Sequence, residues 1–281
     1  MIDAHMHFWD PDRWHYPWLD GGSPLGRRYV PADVDSAGPV PDAVVFVEAS
    51  GGGGDPFAEV EWVEGLAGPP AVAGIVAHAP LETGTDVEPA LRRLAARPLV
   101  KGVRRNLQDE ADGFALTPGF RTGVRLLAEH GLAADLCVRE RQLAEVTELV
   151  RATPEVTFVL DHLGKPGIRD GRWQPWADDL ARLAELPNVV AKLSGLTTEA
   201  DWSAWTAGQL APYLEHALAV FGAQRCMFGG DWPVSTLATS YADWYAVVAG
   251  VLADRPAADR ALVLTDVATR VYRLDLDPAT D

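Results

Sequence analysis

The sequence has only two cysteines, Cys137 and Cys226, among its 281 residues. Two cysteines cannot build the disulfide framework of a small secreted protein, and neither belongs to a C-x-x-C metal-binding motif. Because they lie on different predicted strands, we expect both to be buried free thiols. This cysteine usage is typical of a protein of the reducing cytoplasm.

Long hydrophobic runs are missing as well. The longest apolar stretches, 72–77 and 246–253, fall well short of the roughly 20 residues that a membrane-spanning helix needs. The N-terminal residues also lack the basic segment, the apolar segment and the cleavage site of an export signal. The sequence therefore predicts a cytoplasmic protein with no membrane partner.

Positive charge is scarce. Lysine and arginine number 24 against 40 aspartates and glutamates, which gives a formal net charge of −16. Such a charge disfavours nucleic acids and anionic membrane surfaces as partners. Since 48% of the residues are hydrophobic, the chain can bury a core. We expect a globular monomer or homodimer that acts on a small molecule.

Short β-branched and apolar runs recur along the chain and predict strands at 1–5, 43–47, 71–78, 99–103, 132–138, 156–161, 189–193 and 225–228. Most are continuous rather than alternating, as in strands that helices cover on both faces. Apolar stripes at helical spacing over 87–95 and 143–150 predict crossover helices between them. The pattern favours a single-domain (β/α)8 barrel over 1–281, with an open doubly wound sheet as the alternative.

Two loops stand out in this scheme. The segment 8–41 is rich in Trp, Tyr, Pro and Gly and is longer than an ordinary connection from strand to helix, so it predicts an elaborated first loop. The glycine run 51–54 follows the second strand but lacks the Gly-Lys-Ser/Thr ending of a phosphate-binding loop. We interpret it as a flexible loop.

Three histidines and an aspartate stand at predicted strand ends. His5 and His7, at the end of strand 1, are separated by one residue, so both imidazoles face the same side, about 6 to 7 Å apart. His162 ends strand 6 and Asp231 ends strand 8. In a barrel of parallel strands all four reach the same rim, where active sites are built. Together they suit one Zn²⁺ ion with a position left open for water.

Two cations lie at the end of strand 4 and the start of its loop. Lys101 and Arg104 lie in Val-Lys-Gly-Val-Arg, and a charged side chain in a strand end is costly unless it meets an opposite charge or a substrate. We therefore expect both near the reacting atoms. Lys192 on strand 7 raises the same expectation with less force, whereas Arg105 is interpreted as a solvated loop cation.

Tryptophan is abundant, with ten residues. Trp9, Trp14, Trp18 and Trp232 fall in loops over the predicted barrel mouth, where flat indole faces suit sugar rings and the indole N–H can donate. Of these, Trp9, Trp14 and Trp232 are candidates for substrate binding. Glu48, at the end of strand 2, is a further candidate through substrate hydroxyls, with an outward-facing solvated carboxylate as the alternative.

These motifs resemble the amidohydrolase superfamily of the amidohydrolase 2 type, and within it the sugar-acid lactonases. The resemblance runs over nearly the whole chain, through residues 3–11, 100–104, 160–166, 192–195 and 230–233. It implies a distorted barrel and hydrolysis of the ester C–O bond of an aldono-1,4- or 1,5-lactone, such as an L-fucono- or L-rhamnono-lactone. Asp231 would activate a water held near His5, His7 and the catalytic His162, and Lys101 and Arg104 would stabilise the oxyanion.

The resemblance also bears on the metal. His5, His7, His162 and Asp231 match the metal-binding positions of the superfamily, but strand 5 (132–138) has no histidine where metal-binding members usually carry one. This departure argues against a two-metal site and leaves one divalent ion, most simply Zn²⁺, or metal-independent hydrolysis. A metal-dependent decarboxylase of the same superfamily and a non-catalytic barrel that binds sugar acids stay open as alternatives.

Overall fold

Eight parallel strands lie side by side in chain order in the computed structural model, which describes residues 1–34, 38–50 and 55–276. Every strand pairs with its neighbours along the chain, so the barrel is confirmed and the doubly wound sheet is excluded. The strands are β1 (Ile2–Met6), β2 (Ala43–Val47), β3 (Ala71–His78), β4 (Val100–Arg104), β5 (Ala133–Leu136), β6 (Phe158–Leu160), β7 (Val189–Leu193) and β8 (Cys226–Phe228).

The ring closes where β1 meets the segment after β8. Met6 and Trp232 form an isolated parallel bridge, and the Asp231 amide donates to the His5 carbonyl over 2.8 Å. Buried Asp3 reinforces this seam, because its carboxylate accepts from the Gly230 amide at 2.9 Å. The His7 amide also donates to the Trp232 carbonyl at 2.8 Å, so backbone hydrogen bonds close the ring.

Helices follow the strands and cover them. α2 and α4 are the two predicted crossover helices, and both bury the predicted apolar stripe against the sheet. Side-chain caps begin other helices, as where Thr206 accepts from the Gln209 amide ahead of α6. The described helices are α1 (Pro56–Glu64), α2 (Glu88–Ala95), α3 (Pro118–Glu129), α4 (Leu143–Ala152), α5 (Trp176–Ala184), α6 (Ala207–Phe221), α7 (Tyr241–Leu252), α8 (Ala257–Ala261) and α9 (Val267–Val271). None of them is long and apolar enough to cross a membrane.

The C-terminal segment closes the barrel opposite the strand ends that carry the histidines. Tyr272 and Leu274, just after α9, are buried in one cluster with the first residues of several strands, among them Ile2, Ala43 and Ala133. Substrate access is therefore confined to the other end, where the connections from strand to helix lie.

The two loops and the cysteines can be compared with their predictions. The first loop holds short 3-10 turns at Pro17–Leu19 and Pro31–Asp33. Cys137 and Cys226 are buried free thiols, as expected. The glycine run 51–54 lies outside the described residues.

Candidate active site

A pocket of about 280 Å³ opens at the C-terminal ends of the strands. This volume is small for a ligand site and suits a compact molecule. Its walls include the predicted residues His7, Trp9, Glu48, Arg104, His162 and Asp231. They also include residues that were not selected from the sequence as site residues: Trp18, Ala49, Ser50, Asn106, Gln108, Asp109, Cys137, Lys165, Thr198 and Val234.

The three predicted histidines and the aspartate converge at this pocket, where His7, His162 and Asp231 line the wall and fully buried His5 lies against them. Asp231 Oδ1 lies 3.7 Å from His5 Nε2, 3.6 Å from His7 Nε2 and 3.9 Å from His162 Nε2. The two histidines of β1 bring their Nε2 atoms within 3.1 Å of each other. The convergence expected from strand ends is therefore present in the structure.

The other ring nitrogen of each histidine, Nδ1, also contacts a neighbouring residue. The Nδ1 contacts are Val47 O at 2.8 Å for His7, Ser194 Oγ at 2.9 Å for His162 and Asp161 Oδ1 at 3.2 Å for His5. The Val47 carbonyl can only accept, so Nδ1 of His7 carries the proton and its Nε2 offers a lone pair. His5 Nδ1 contacts both an acceptor, the Asp161 carboxylate, and a donor, the Lys192 ammonium, each at 3.2 Å. Such outer contacts are what fixes the orientation of metal-binding histidines.

This donor set fits a divalent cation. Imidazole nitrogens and a carboxylate oxygen are ordinary Zn²⁺ ligands, and ligand atoms of His5, His162 and Asp231 lie within 4.8 Å of one another. Lone pairs and a negative charge that face one another repel unless a cation lies among them. The buried charged groups near the cluster include the carboxylates Asp3, Glu48, Asp135, Asp161 and Asp231 and the cations Arg104 and Lys192. Their excess of negative charge suits a bound cation.

A second group of potential ligands, Cys137, Asp161 and His162, lies close by. The Asp161 carboxylate already accepts from Arg104 at 3.3 Å and lies 3.0 Å from Lys192 Nζ. These two cations repel a metal ion from that position, so the residues favour a single ion.

Burial sets the protonation states of the cluster. It lowers the pKa of His162 to about 4 and that of His5 well below its ordinary value, so both rings are neutral at pH 7. Burial raises the pKa of the Asp231 carboxyl, but the neighbouring His162 and His7 rings outweigh it and hold that pKa below the ordinary range. Asp231 is therefore an ionised carboxylate at neutral pH.

Arg104 and Glu48 form a buried pair beside the cluster. The guanidinium donates from Nε to Glu48 Oε1 at 2.8 Å, from Nη2 to Glu48 O at 2.7 Å and from Nη1 to Asp161 Oδ2 at 3.3 Å. Burial raises the pKa of Glu48, but Arg104, His78 and His7 together lower it below its ordinary value. Glu48 is thus an ionised wall residue, and the alternative of a solvated, outward-facing carboxylate is wrong.

A model of the amidohydrolase family, Amidohydro_2, matches residues 2–274. The chain belongs to the amidohydrolase family. The resemblance drawn from its motifs is thereby confirmed at the level of the family.

Two relatives named L-fucono-1,5-lactonase are similar to almost the whole amidohydrolase chain. The one from Burkholderia multivorans is 35% identical over 292 residues and spans 97% of this chain and 96% of the relative. The one from Burkholderia ambifaria is 33% identical and spans 98% and 96%. A crystal structure of an amidohydrolase from Burkholderia multivorans with bound zinc has a TM-score of 0.84 at 34% identity and covers 98% of this chain and 99% of that one.

The amidohydrolase has a pocket cation that was not selected from the sequence, Lys165. Its Nζ donates to Gln108 Oε1 at 2.6 Å and lies 3.8 Å from Glu199 Oε1. It follows His162 in a left-handed turn, with φ of 52° at His162, 52° at Leu163 and 50° at Lys165. Left-handed residues other than glycine are strained and cluster at functional sites. A lysine three residues after a rim histidine was the signal that could have revealed it.

Lys101 is not in the pocket of the amidohydrolase, which corrects its predicted role. It is the second residue of β4, three residues before Arg104 and therefore about 10 Å nearer the closed end of the barrel. There its side chain lies near Gly74 and Leu274. Burial and the nearby Arg273 lower the pKa of Lys101. Arg104 alone of this predicted pair reaches the pocket.

Two of the predicted tryptophans are also absent from the pocket walls. Trp14 packs edge-on against Trp62 with ring centroids 5.7 Å apart, and Trp232 is buried against Phe8 and Tyr29, at 6.1 and 5.5 Å. Both serve packing of the loops, so their substrate-binding role is wrong.

Trp9 and Trp18 line the pocket of the amidohydrolase instead. Trp9 is fully buried, and Trp18 packs edge-on against it with ring centroids 4.9 Å apart. Trp18 is 43% exposed and donates from its indole nitrogen to the Ala49 carbonyl at 2.9 Å. The exposed ring of Trp18 therefore offers an apolar surface at the pocket mouth.

Proposed function

We propose that this amidohydrolase hydrolyses a 1,4- or 1,5-lactone of a sugar acid to the free acid, with an L-fucono- or L-rhamnono-type lactone as substrate. The observation that carries the proposal is the ionised carboxylate of Asp231, which lines a small pocket and lies within 3.9 Å of three histidine rings. The similarity to two L-fucono-1,5-lactonases over nearly their full length supports the same activity.

The pocket chemistry suits a neutral ligand with several hydroxyl groups. Ser50, Asn106, Gln108 and Thr198 place hydroxyls and amides on its walls. Such groups donate to and accept from hydroxyls without requiring a charge on the ligand. The Trp18 ring supplies the flat face that the C–H side of a sugar ring prefers.

The balance of charge argues against an acid as substrate, and so against a decarboxylase. Among the described wall residues, both cations are already engaged by the protein. Arg104 is paired with Glu48 and Asp161, and Lys165 contacts Gln108 and lies near Glu199. Each wall cation already has an acidic partner or neighbour in the protein, so a substrate carboxylate would find no unpaired cation to neutralise it and would meet the charge of Asp231.

The hydrolysis requires one proton to move from water to the leaving oxygen. As the water oxygen attacks the lactone carbonyl carbon, Asp231 accepts its proton. As the bond from that carbon to the ring oxygen breaks, the same carboxyl returns the proton to the ring oxygen. The product is the open hydroxy acid, and Asp231 ends ionised as it began.

In this proposal Arg104 stabilises the oxyanion that forms at the carbonyl. A guanidinium has five N–H donors, and the bonds to Glu48 and Asp161 occupy three of them. The two that are left can meet an oxygen in the pocket. Because the negative charge on that oxygen grows in the transition state, this interaction raises the rate rather than only the affinity.

His5, His7, His162 and Asp231 are the residues that would hold one divalent ion. When bound, such an ion would act as a Lewis acid and would lower the pKa of a bound water. The structure of the zinc-bound relative from Burkholderia multivorans supports Zn²⁺ as the ion.

The activity can be tested with a panel of sugar lactones, followed by a pH indicator that reports release of the acid. We expect hydrolysis well above the spontaneous rate on at least one deoxyhexono- or pentonolactone. The matching open acids, incubated under a CO₂ sensor, should release nothing. Spontaneous rates on every lactone would refute the proposal, and CO₂ release from an acid would favour the decarboxylase.

A separate prediction concerns the number of metal ions bound per chain. Purified, fully active protein should contain at most one divalent ion per chain, because the described residues hold one suitable cluster of ligands. Elemental analysis before and after treatment with a chelator measures this content. A stoichiometry near two ions per chain would contradict the one-ion site.

A further inference from the structure

The backbone at Asp231 is strained. Its φ is 53°, in the left-handed region, and residues other than glycine keep that conformation only where the surrounding structure holds them. The segment 229–231 follows β8 and belongs to no strand or helix, so its conformation depends on individual contacts. Those contacts decide where the Asp231 carboxylate points.

Asp3 on β1 supplies the central contacts. Its Oδ1 accepts from the His5 amide and from the Gly230 amide, each at 2.9 Å. One oxygen atom thus joins the backbone that carries His5 to the backbone that carries Asp231. The Asp231 amide in turn donates to the His5 carbonyl at 2.8 Å. The relative position of the two backbones therefore depends on Asp3.

Helix α7 holds the other oxygen of Asp3. The Tyr241 hydroxyl donates to Oδ2 at 2.9 Å, and Trp244 of the same helix donates from Nε1 to the Gly229 carbonyl at 2.8 Å. The packing is tight, since a Cβ atom added to Gly230 would lie 2.4 Å from Asp3 Oδ2 and 2.4 Å from Tyr241 Cε2. We call Asp3, Tyr241 and Trp244 the seam clamp.

The seam clamp stands apart from the space that a ligand would occupy. All three residues are buried, and none of them is among the described residues that line the pocket. Apart from its charge, Asp3 can therefore affect the reaction only through the positions of His5 and Asp231.

We infer that Asp3, supported by Tyr241, is a positioning residue that acts as a hydrogen-bond acceptor and keeps the strained backbone of Asp231 in place. It thereby keeps the Asp231 carboxylate 3.6 to 3.9 Å from the three histidine rings. The inference rests on the proposed function, because it takes Asp231 to be the group that accepts the proton from water.

The pattern of hydrogen bonds makes the negative charge of Asp3 dispensable for this role. The two amides can only donate, so Oδ1 must accept, whereas the Tyr241 hydroxyl can donate or accept. An asparagine at this position can keep Oδ1 on the two amides and donate from Nδ2 to the tyrosine oxygen. An alanine removes all three contacts. The two variants therefore separate the acceptor from the charge.

The first measurement compares lactone hydrolysis by the two variants. Asp3→Asn should keep kcat within about threefold of the parent, because its contacts persist. Asp3→Ala should lose kcat by about 100-fold, the usual cost of misplacing a catalytic group by about 1 Å. Its KM should stay near the parent value, because the residues that line the pocket are unchanged.

Glu145→Ala is the matched control. Glu145 also accepts from two backbone amides, those of Gly113 and Ala115, at 2.8 and 2.7 Å, but it does not line the pocket. Its removal should lower the unfolding midpoint and leave kcat unchanged. A loss of kcat in Asp3→Ala alone therefore reports position and not a general loss of stability.

The second measurement is independent of turnover. Crystal structures of the two variants give the φ of Asp231 and the distances from its Oδ1 to the histidine rings. We expect Asp3→Asn to keep the left-handed backbone, and Asp3→Ala to lose it and to move Oδ1 by about 1 Å, the scale that matters for catalysis. If no lactone is hydrolysed, the proposed function fails and this comparison still decides the inference.

Tyr241→Phe keeps the ring and removes only the hydroxyl. It should lower kcat by less than Asp3→Ala does. In the Asp3→Ala background it should have no further effect, because the hydroxyl acts through the Asp3 carboxylate and the two changes are then not additive.

Three results would overturn the inference. Equal losses in Asp3→Asn and Asp3→Ala would assign the effect to the charge, and folded Asp3→Ala with the parent's kcat or with Asp231 unmoved would show that Asp3 does not position it. If Asp3→Ala does not fold, Tyr241→Phe decides, and an unmoved Asp231 with the parent's kcat in that variant would be the overturning result.

Discussion

Asp231→Asn should fold normally and lose kcat by a factor of about 100 or more, the usual scale for removing a general base. The amide of asparagine matches the carboxyl in shape but cannot accept the proton from the attacking water. It also lacks the charge that makes Asp231 part of the cation site. Steady-state hydrolysis of the best lactone of the panel, with unfolding midpoints measured beside it, gives both quantities.

The loss must come from the position of Asp231 and not from the loss of a negative charge in general. Asp112→Asn is a suitable control, because Asp112 is exposed and pairs with Arg141 on the surface. Its kcat should stay at the parent value. Folded Asp231→Asn protein with kcat within about threefold of the parent would remove the aspartate from its assigned role, since a general base contributes far more.

The barrel and the convergence of the histidines with Asp231 could be predicted from the sequence for one physical reason. Strands covered on both faces read as apolar runs, and parallel strands deliver their C-terminal ends to one rim. His5, His162 and Asp231 stand at or just after such ends, so their meeting follows from the order of the elements. This prediction does not require knowing which side chains contact one another.

Lys101 could not be placed in the same way. The pairing of β3 with β4 shifts beside it, because Ile75 pairs with Val100 while Val76 pairs with Gly102. A bulge of this kind breaks the strict alternation of faces, and its position depends on the neighbouring strand. A reading of one strand at a time therefore does not tell which of two nearby cations reaches the pocket.

The buried charges show the same limit. Lys192 and Asp135 lie on different strands, 57 residues apart in the chain, and each alone resembles an unexplained charge in an apolar run. Their pairing appears only in the folded barrel, where the Asp135 carboxylate accepts from both Lys192 and Tyr272. Trp14 was expected at the barrel mouth, but its ring packs against Trp62 on α1 and does not line the pocket.

Arg104→Met should affect both stability and rate, because Arg104 neutralises buried carboxylates and faces the pocket. Breaking a buried ion pair from one side costs roughly 3 to 5 kcal/mol of folding free energy. Losing a donor to the oxyanion should lower kcat by about 10²- to 10³-fold. Denaturant unfolding and lactone kinetics measure the two effects on the same preparation. The neighbouring Arg105→Met is the control, since its partners Glu82 and Glu110 lie outside the pocket.

A double variant separates the two effects of Arg104. In Arg104→Met/Glu48→Gln the buried carboxylate that has lost its cation becomes a neutral amide, while Asp161 keeps its contact with Lys192. Part of the lost stability should therefore return, because an uncompensated buried charge is the main cost. The rate should not return, because the oxyanion still lacks its donor. If kcat recovered with stability, the role of Arg104 would be to hold the fold, and the pocket would stabilise the oxyanion by other means.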